Sequence, residues 1–208
     1  MYKLRQQIVE IGNRLWLGRM LPAGDGNISV RLEQERFLIT ASGISKGFLT
    51  PRQVLMIDNN GTVLDGEGQP SSELVMHLVA YRLRGDIDAI VHAHPPFASA
   101  FACNGIELPY DMLSEAIVKI GEIPTTPFEL PSSIGTAECA ASFAKNFNAF
   151  LLKNHGAVAL GRNLDEAFLR MELVEHLAKT ALIARMLGGY DKIPSEAINA
   201  LEEMAKNI

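Results

Sequence analysis

The stretch Ile90-Val91-His92-Ala93-His94-Pro95-Pro96 is the most informative part of this chain. Its apolar residues predict a buried β-strand, and the two prolines end that strand because proline cannot continue a sheet ladder. Side chains two positions apart on a strand point to the same face, so His92 and His94 can present both imidazoles together. Two neighbouring imidazoles are natural ligands for a divalent metal such as zinc, although a His-x-His pair can equally form an ordinary polar edge of a sheet. The position of the pair at a strand end favours the metal.

Further ligand candidates lie upstream and downstream of this strand. Glu73 opens a predicted helix, and His155 interrupts the apolar run 150–161, which predicts a strand crossing the core. A buried histidine in such a run must be hydrogen-bonded or bound to a metal. Three histidines and one carboxylate would complete a tetrahedral ligand set, and departure of the carboxylate would open a position for substrate. The alternative for Glu73 is simple compensation of the helix dipole.

Two stretches have the composition of an anion site. Gly24-Asp25-Gly26-Asn27 can form a tight turn whose backbone N–H groups face an anion, or a plain turn into the next strand. Pro70-Ser71-Ser72-Glu73 predicts the start of a helix that continues to about Arg84, with Ser71 or Ser72 as its N-cap. A helix N-terminus with two hydroxyl groups is suited to binding phosphate.

The remaining patterns predict a mixed α/β chain. Short strands separated by Gly and Asn indicate an antiparallel sheet in the N-terminal half. His77 and His176 fall within predicted helices and are interpreted as non-catalytic. Helices are predicted over 2–20, 97–103, 136–145, from the Asn163 cap to about Leu187, and over 194–204; strands are predicted over 37–40, 54–58, 62–64, 88–94 and 150–161.

Composition limits the class of protein. The 208 residues, 48% hydrophobic and 21% charged, predict one domain over 1–208 with a substantial core. A net charge of −5 argues against a nucleic-acid partner. No apolar run approaches the length of a membrane span and the N-terminus lacks a secretion signal, so we expect a cytoplasmic protein. Cys103 and Cys139 fit no CxxC spacing and are expected to be reduced thiols.

Five short stretches occur in order along the chain: Gly-Asp-Gly-Asn-Ile-Ser-Val-Arg at 24–31, Ile-Thr-Ala-Ser-Gly at 39–43, Ser-Ser-Glu at 71–73, His-Ala-His at 92–94 and Asn-His-Gly at 154–156. Together they resemble the class II aldolase/adducin family, and within it the sugar-phosphate aldolases of the L-fuculose-phosphate type. The resemblance spans nearly the whole chain. It implies a three-layer α/β/α sandwich around a mainly antiparallel central sheet, in a homotetramer with its sites at subunit interfaces.

The resemblance also implies a chemistry. It implies Zn2+ bound by His92, His94 and His155, with Glu73 as a ligand in the free enzyme and as an acid/base in turnover. The implied reaction is retro-aldol cleavage of a ketose 1-phosphate to dihydroxyacetone phosphate and an aldehyde, with the metal stabilising the enediolate charge as a Lewis acid. The residues implied to hold the substrate phosphate are Gly26, Asn27, Ser42, Gly43, Ser71 and Ser72.

The chain departs from this pattern at the second acid/base. Aldolases of this type use a tyrosine from a neighbouring subunit to protonate the leaving aldehyde, and no tyrosine here is an unambiguous match. Tyr110 lies near the expected place and Glu115 in the same region; each is either the second acid/base or a surface residue. A glutamate at about this place is the acid/base of methylthioribulose-1-phosphate dehydratase, which keeps dehydration as an alternative.

Two further alternatives follow from the same resemblance. L-ribulose-5-phosphate 4-epimerases share the scaffold, and Gly24-Asp25 stands where bacterial fuculose-phosphate enzymes tend to have Thr-Ser, so the substrate is open. Adducin head domains have lost the metal histidines. This chain keeps all three, so a binding-only role is not expected.

Overall fold

Seven antiparallel strands form one sheet in the computed structural model, which describes residues 1–33 and 35–206. The strands are β1 (Asn27–Arg31), β2 (Phe37–Thr40), β3 (Val54–Ile57), β4 (Val63–Asp65), β5 (Ala89–Ala93), β6 (Ala149–Leu152) and β7 (Gly156–Gly161). They lie in the order β4-β3-β2-β1-β5-β7-β6. The β3–β4 hairpin expected from the two short apolar runs is present.

Helices cover both faces of this sheet. They are α1 (Tyr2–Leu17), α2 (Leu74–Leu83), α3 (Pro96–Asn104), α4 (Ser114–Lys119), α5 (Ile134–Ala144), α6 (Leu164–Met186) and α7 (Ser195–Ala205). Alternate strand residues enter separate cores: Val91 of β5 packs with α1, α3 and α6, whereas Ile90 packs with α2 and α5. The expected α/β/α fold with a mainly antiparallel sheet is confirmed. Among the described residues, no helix has the length and apolar character needed to cross a bilayer.

The histidine strand lies in the middle of the sheet. β5 pairs with β1 on one side and with β7 on the other, so that His92 is opposite both Asn27 and Val158. The backbone N–H of His94 leaves the ladder and donates to the carbonyl oxygen of Met20 at 2.8 Å. α3 begins directly afterwards, with Pro96 in its first turn, where a missing N–H carries no cost.

The predicted strand 150–161 is wrong, because the chain reverses in its middle. Lys153–His155 forms a turn between β6 and β7, and the N–H of His155 donates to the carbonyl oxygen of Leu152 at 3.0 Å. Asn154 adopts φ +57°, a left-handed conformation that asparagine tolerates better than most residues. The hairpin places His155 at the sheet end rather than within a buried strand.

The predicted start of α2 is also too early. The helix begins at Leu74 with Glu73 as its N-cap residue, so neither Ser71 nor Ser72 is the N-cap. The Ser71 hydroxyl instead accepts from the N–H of Glu73 at 3.2 Å, which forms a side-chain turn in front of the helix. Helix α1 ends at Leu17 rather than 20, and α4 is a helix that the sequence patterns do not predict.

Candidate metal centre and anion cavity

Three imidazoles converge at one end of the sheet. His92 is the fourth residue of the buried strand β5, His94 follows the strand, and His155 comes from the β6–β7 turn. One ring nitrogen from each lies within 4.8 Å of the other two, and the Nε2 atoms of His92 and His94 are 3.1 Å apart. His94 and His155 are 61 positions apart along the chain. They share one site because β5 and β7 pair.

The backbone fixes the orientation of His92. Its Nδ1 lies 3.0 Å from the carbonyl oxygen of Ala157, and because a carbonyl only accepts, Nδ1 carries the hydrogen. Nε2 is then the ring nitrogen that faces the cluster, 3.1 Å from Nε2 of His94 and 3.2 Å from Oε2 of Glu73, and a backbone contact at the other nitrogen is typical of metal-ligating histidines. Gly156 allows β7 to lie this close to the end of β5, since a Cβ at position 156 would lie 2.4 Å from the carbonyl oxygen of Ala93.

Glu73 faces the same cluster from the start of α2. Its Oε2 lies 3.2 Å from Nε2 of His92 and its Oε1 lies 3.6 Å from Nε2 of His155. Asn27 donates from Nδ2 to Oε2 at 2.8 Å and holds the carboxylate in place. Oε1 is buried without a hydrogen-bond partner among the described residues. Three imidazoles and an orphaned carboxylate oxygen fit a divalent cation, which would satisfy all four groups.

The protonation states suit the same interpretation. Burial, followed by the neighbouring His92 and His155, lowers the pKa of His94 to about 3. Burial and His92 likewise lower the pKa of His155. Burial alone would raise the pKa of Glu73, but His92, His155 and Asn27 hold it below its usual range. His94 and His155 therefore offer neutral imidazoles and Glu73 an ionised carboxylate, the forms that bind metal. Burial would lower the pKa of His92, but the adjacent Glu73 and the carbonyl of Ala157 raise it, so a bound cation would take the place of a proton on His92.

A cavity of about 460 Å³ opens beside the histidines. Three turns form its wall: the one before β1, the one after β2 and the one before α2. Gly26 has φ +72°, and a Cβ there would lie 2.8 Å from the carbonyl oxygen of His92, so glycine is required by both conformation and space. All six residues expected to hold phosphate line this cavity: Gly26, Asn27, Ser42, Gly43, Ser71 and Ser72.

Two polar residues of the cavity wall are not identified from sequence. Lys46, three positions after Gly43, is 2% exposed and lines the cavity. Ser132, from the loop before α5, also lines it and donates its hydroxyl to that of Ser72 at 2.9 Å. A lysine or serine in a polar stretch has the sequence signature of a solvent-exposed residue, so no sequence signal marks either one.

Tyr110 and Glu115 lie elsewhere in this chain. Glu115, on α4, lines a second cavity of about 650 Å³ against α6, together with the exposed His176. Tyr110 is in a short 3-10 turn, Tyr110–Met112, and neither residue lines the histidine cavity. The acidic side chains that do line it are Asp25 and Glu73. A single chain therefore places the candidate metal ligands next to the candidate phosphate-binding residues. It does not place Tyr110 or Glu115, the candidates for the second acid/base, beside them.

His77 belongs to a buried network behind the site. Its Nδ1 lies 2.6 Å from the hydroxyl oxygen of Ser29, which in turn lies 2.8 Å from that of Tyr81. Burial, followed by the charge of His92, lowers the pKa of His77 to about 3. The neutral ring is not among the residues that line the cavity, so its structural role stays a prediction.

Comparisons with known proteins identify the family. The profile described as Class II Aldolase and Adducin N-terminal domain matches residues 6–182. Over 206 residues the chain is 34% identical to the 5-deoxy-D-ribulose 1-phosphate aldolase of Bacillus thuringiensis serovar kurstaki, covering 98% of this chain and 94% of that protein. It is 33% identical over 184 residues to the 3-oxo-tetronate 4-phosphate decarboxylase of Haemophilus influenzae, with 84% and 85% covered.

The solved structures agree with this assignment. An L-fuculose 1-phosphate aldolase superposes with a TM-score of 0.90 at 33% identity, covering 98% of this chain and 96% of that one. The chain belongs to the class II aldolase and adducin family, and the resemblance inferred from its motifs is confirmed. Class II aldolases generally depend on a divalent metal, in keeping with the histidine cluster.

Proposed function

We propose that this protein is a zinc-dependent lyase that cleaves a ketose 1-phosphate to dihydroxyacetone phosphate and an aldehyde. The observation that supports the proposal is that a group of possible metal ligands lies beside a polar cavity. The ligands are His92, His94, His155 and Glu73, and residues with hydroxyl and amide groups line the cavity. A sugar phosphate can span both because its carbonyl and its phosphate are only a few bonds apart.

The cation supplies Lewis-acid stabilisation of the negative charge that develops when the carbon–carbon bond breaks. His92, His94 and His155 would hold it, and imidazole ligands suit zinc while also accepting manganese or cobalt. Glu73 would bind the cation before substrate arrives and leave it afterwards. This exchange suits a carboxylate that Asn27 holds from the side through Nδ2, which also donates to the Ser71 hydroxyl at 2.9 Å.

The catalytic groups must move two protons for the reaction to balance. Cleavage between C3 and C4 of the ketose leaves the electron pair on C3, so C3 gains one proton while the C4 hydroxyl loses one to become the aldehyde. Glu73 is the candidate for the proton at C3, because the carboxylate adjoins the histidines that would hold the carbonyl end of the substrate. The C4 proton requires a second group.

Substrate orientation is assigned to the turns. Ser42, Ser71 and Ser72 line the cavity, and their hydroxyls would bind phosphate oxygens. Asn27 would support this set by holding the Ser71 hydroxyl in place through Nδ2. These contacts act at a distance from the breaking bond and hold the carbonyl end at the histidines, which is how remote binding favours a reaction.

A 3-oxo-tetronate 4-phosphate decarboxylase is the second candidate. Loss of CO2 from such a substrate leaves the same enediolate of dihydroxyacetone phosphate, and its carboxylate is already ionised, so no group must accept a hydroxyl proton. The observation that favours it is the position of Tyr110 and Glu115 outside the histidine cavity. For the aldolase, we propose a homotetramer in which a neighbouring subunit supplies one of these two side chains at the interface.

The test is a product assay on zinc-loaded protein. The panel comprises 5-deoxy-D-ribulose 1-phosphate, L-fuculose 1-phosphate, 3-oxo-tetronate 4-phosphate, L-ribulose 5-phosphate and methylthioribulose 1-phosphate. Dihydroxyacetone phosphate with an aldehyde from either of the first two supports the aldolase; dihydroxyacetone phosphate with CO2 from the third supports the decarboxylase. An epimerised or dehydrated product from the last two, without triose phosphate from any, would overturn both.

A further inference from the structure

Lys46 is a buried lysine beside the anion cavity. It is 2% exposed and among the largest fully buried side chains of the described residues, yet it is one of the residues that line the cavity. Burying a charged amine costs free energy unless specific partners compensate it. The position of this side chain therefore calls for a reason beyond packing.

The ammonium group connects two of the cavity turns. Nζ donates to the carbonyl oxygen of Gly24 at 2.7 Å and to that of Ile44 at 2.8 Å. The two turns already touch, since a Cβ on Gly24 would lie 3.3 Å from the carbonyl carbon of Gly43. An ammonium has three N–H donors, so these two bonds leave one for another acceptor.

The side chains that line the cavity carry more negative than positive charge. Lys46 is the only lysine or arginine among the described residues that line it, and Asp25 and Glu73 line it as well. Burial lowers the pKa of Lys46 to about 8, although Asp25 and Glu73 oppose this shift. A metal at the histidines would offset the charge of Glu73, but a phosphate ester bound between these turns would still meet a single cationic side chain.

We propose that Lys46 positions the phosphate subsite and balances its charge: it fixes the spacing of the Gly24 and Ile44 turns and sets its ammonium against a phosphate bound between them. The inference rests on the proposed function in that it takes a phosphate ester as the ligand. Asp25 and Glu73 keep the ammonium in place when the cavity is free, and the phosphate takes over part of that role.

The experiment measures phosphate binding apart from turnover. Inorganic phosphate is titrated into zinc-loaded protein by calorimetry at constant ionic strength, for wild type, Lys46→Met and Lys179→Met. The last variant is matched because it removes one positive charge from α6, where Lys179 lies over the ring of Phe97. We expect Lys46→Met to weaken phosphate binding by at least about tenfold, as for loss of a charge-assisted hydrogen bond, and Lys179→Met to leave it unchanged.

Steady-state kinetics separate positioning from a purely structural role. For a substrate that wild type cleaves, Lys46→Met is expected to raise KM by at least about tenfold with a smaller change in kcat and with zinc content unchanged. Loss of zinc together with kcat would instead assign Lys46 to scaffold packing. Lys46→Arg, which keeps the charge and can donate to both carbonyls, is expected to recover part of the phosphate affinity.

One measurement does not depend on the variant folding. In wild-type protein with 15N-labelled lysine side chains, phosphate is expected to shift the Nζ signal of Lys46 and not that of Lys179. Wild type that binds phosphate without this shift, or Lys46→Met that binds it equally well, overturns the inference and leaves the proposed function standing. Wild type that binds neither phosphate nor any sugar phosphate overturns the phosphate part of the proposed function itself.

Discussion

The histidine cavity and the α4–α6 cavity differ in how completely one chain builds them. In the first, ring nitrogens of three histidines lie within 4.8 Å of one another, and the Glu73 carboxylate lies 3.2 Å and 3.6 Å from two of them. In the second, Glu115 lies with charged residues of α6, and within the described part of the chain the group of possible metal ligands is at His92, His94 and His155 instead. A single chain thus brings together the residues that would stabilise an enediolate. It does not bring to them the residue that would decide which enediolate reaction takes place.

The largest expected effect is loss of metal on removal of a histidine. His155→Ala should weaken zinc binding by more than about a hundredfold, since changes to groups that merely support a ligand already cost 10–100-fold. Zinc retained after dialysis, measured by mass spectrometry of the metal, checks this. His176→Ala is the control, because that exposed histidine lies in the other cavity. Stoichiometric zinc in His155→Ala would remove this residue from the ligand set.

Glu73→Gln should come next in size. The amide cannot carry the proton at C3, so kcat should fall by about 10²–10⁴-fold, the usual contribution of a general acid or base. The fold should persist because the change is nearly isosteric. The measurement is kcat at saturating zinc, with circular dichroism to verify folding. Full activity would mean that another group moves the proton.

Substitutions of Glu115 and Tyr110 test the difference between the two parts of the molecule directly. If a neighbouring subunit brings this region to the site of an aldolase, Glu115→Gln should lose activity modestly, within about tenfold, whereas a dehydratase should lose nearly all activity through its acid/base. Tyr110→Phe should lower kcat more than Glu115→Gln in the aldolase. A decarboxylase should tolerate both changes. The rates of all three proteins on the substrate that wild type turns over separate these cases.

The smallest effects are expected from two glycines of the cavity wall. Gly43→Ala should cost about 1–2 kcal/mol of unfolding free energy, because φ is +70° but a Cβ meets nothing within 4 Å. Gly26→Ala shares the conformational cost at φ +72° and adds a Cβ only 2.3 Å from Leu21 Cδ2 and 2.8 Å from the His92 carbonyl oxygen. Denaturant unfolding should show that Gly26→Ala is the less stable of the two variants. Equal losses of unfolding free energy would mean that β5 shifts to accept the Cβ at no energetic cost.

The predictable part of the molecule follows from short-range rules. Period-two geometry places His92 and His94 on one strand end, and the glycine and serine turns have a composition suited to anions. The β6–β7 reversal escapes such rules because apolar residues run on both sides of it and the signal is a single left-handed Asn154. The burial of Lys46 and the separation of Glu115 from the histidines depend on tertiary packing, which no local pattern encodes.

The hydrogen bond from His92 to the carbonyl oxygen of Ala157 has a consequence for how this protein can change over evolutionary time. Every amino acid offers a main-chain carbonyl, so no substitution at position 157 removes the acceptor itself. The ring orientation is inherited with the pairing of β5 and β7 rather than with any side chain. Surrounding residues can therefore diverge toward new substrates while this histidine keeps its tautomer. Ala157 is fully buried, so a library built for altered specificity should keep a small residue there, and it should fail where mutations shift the strand register.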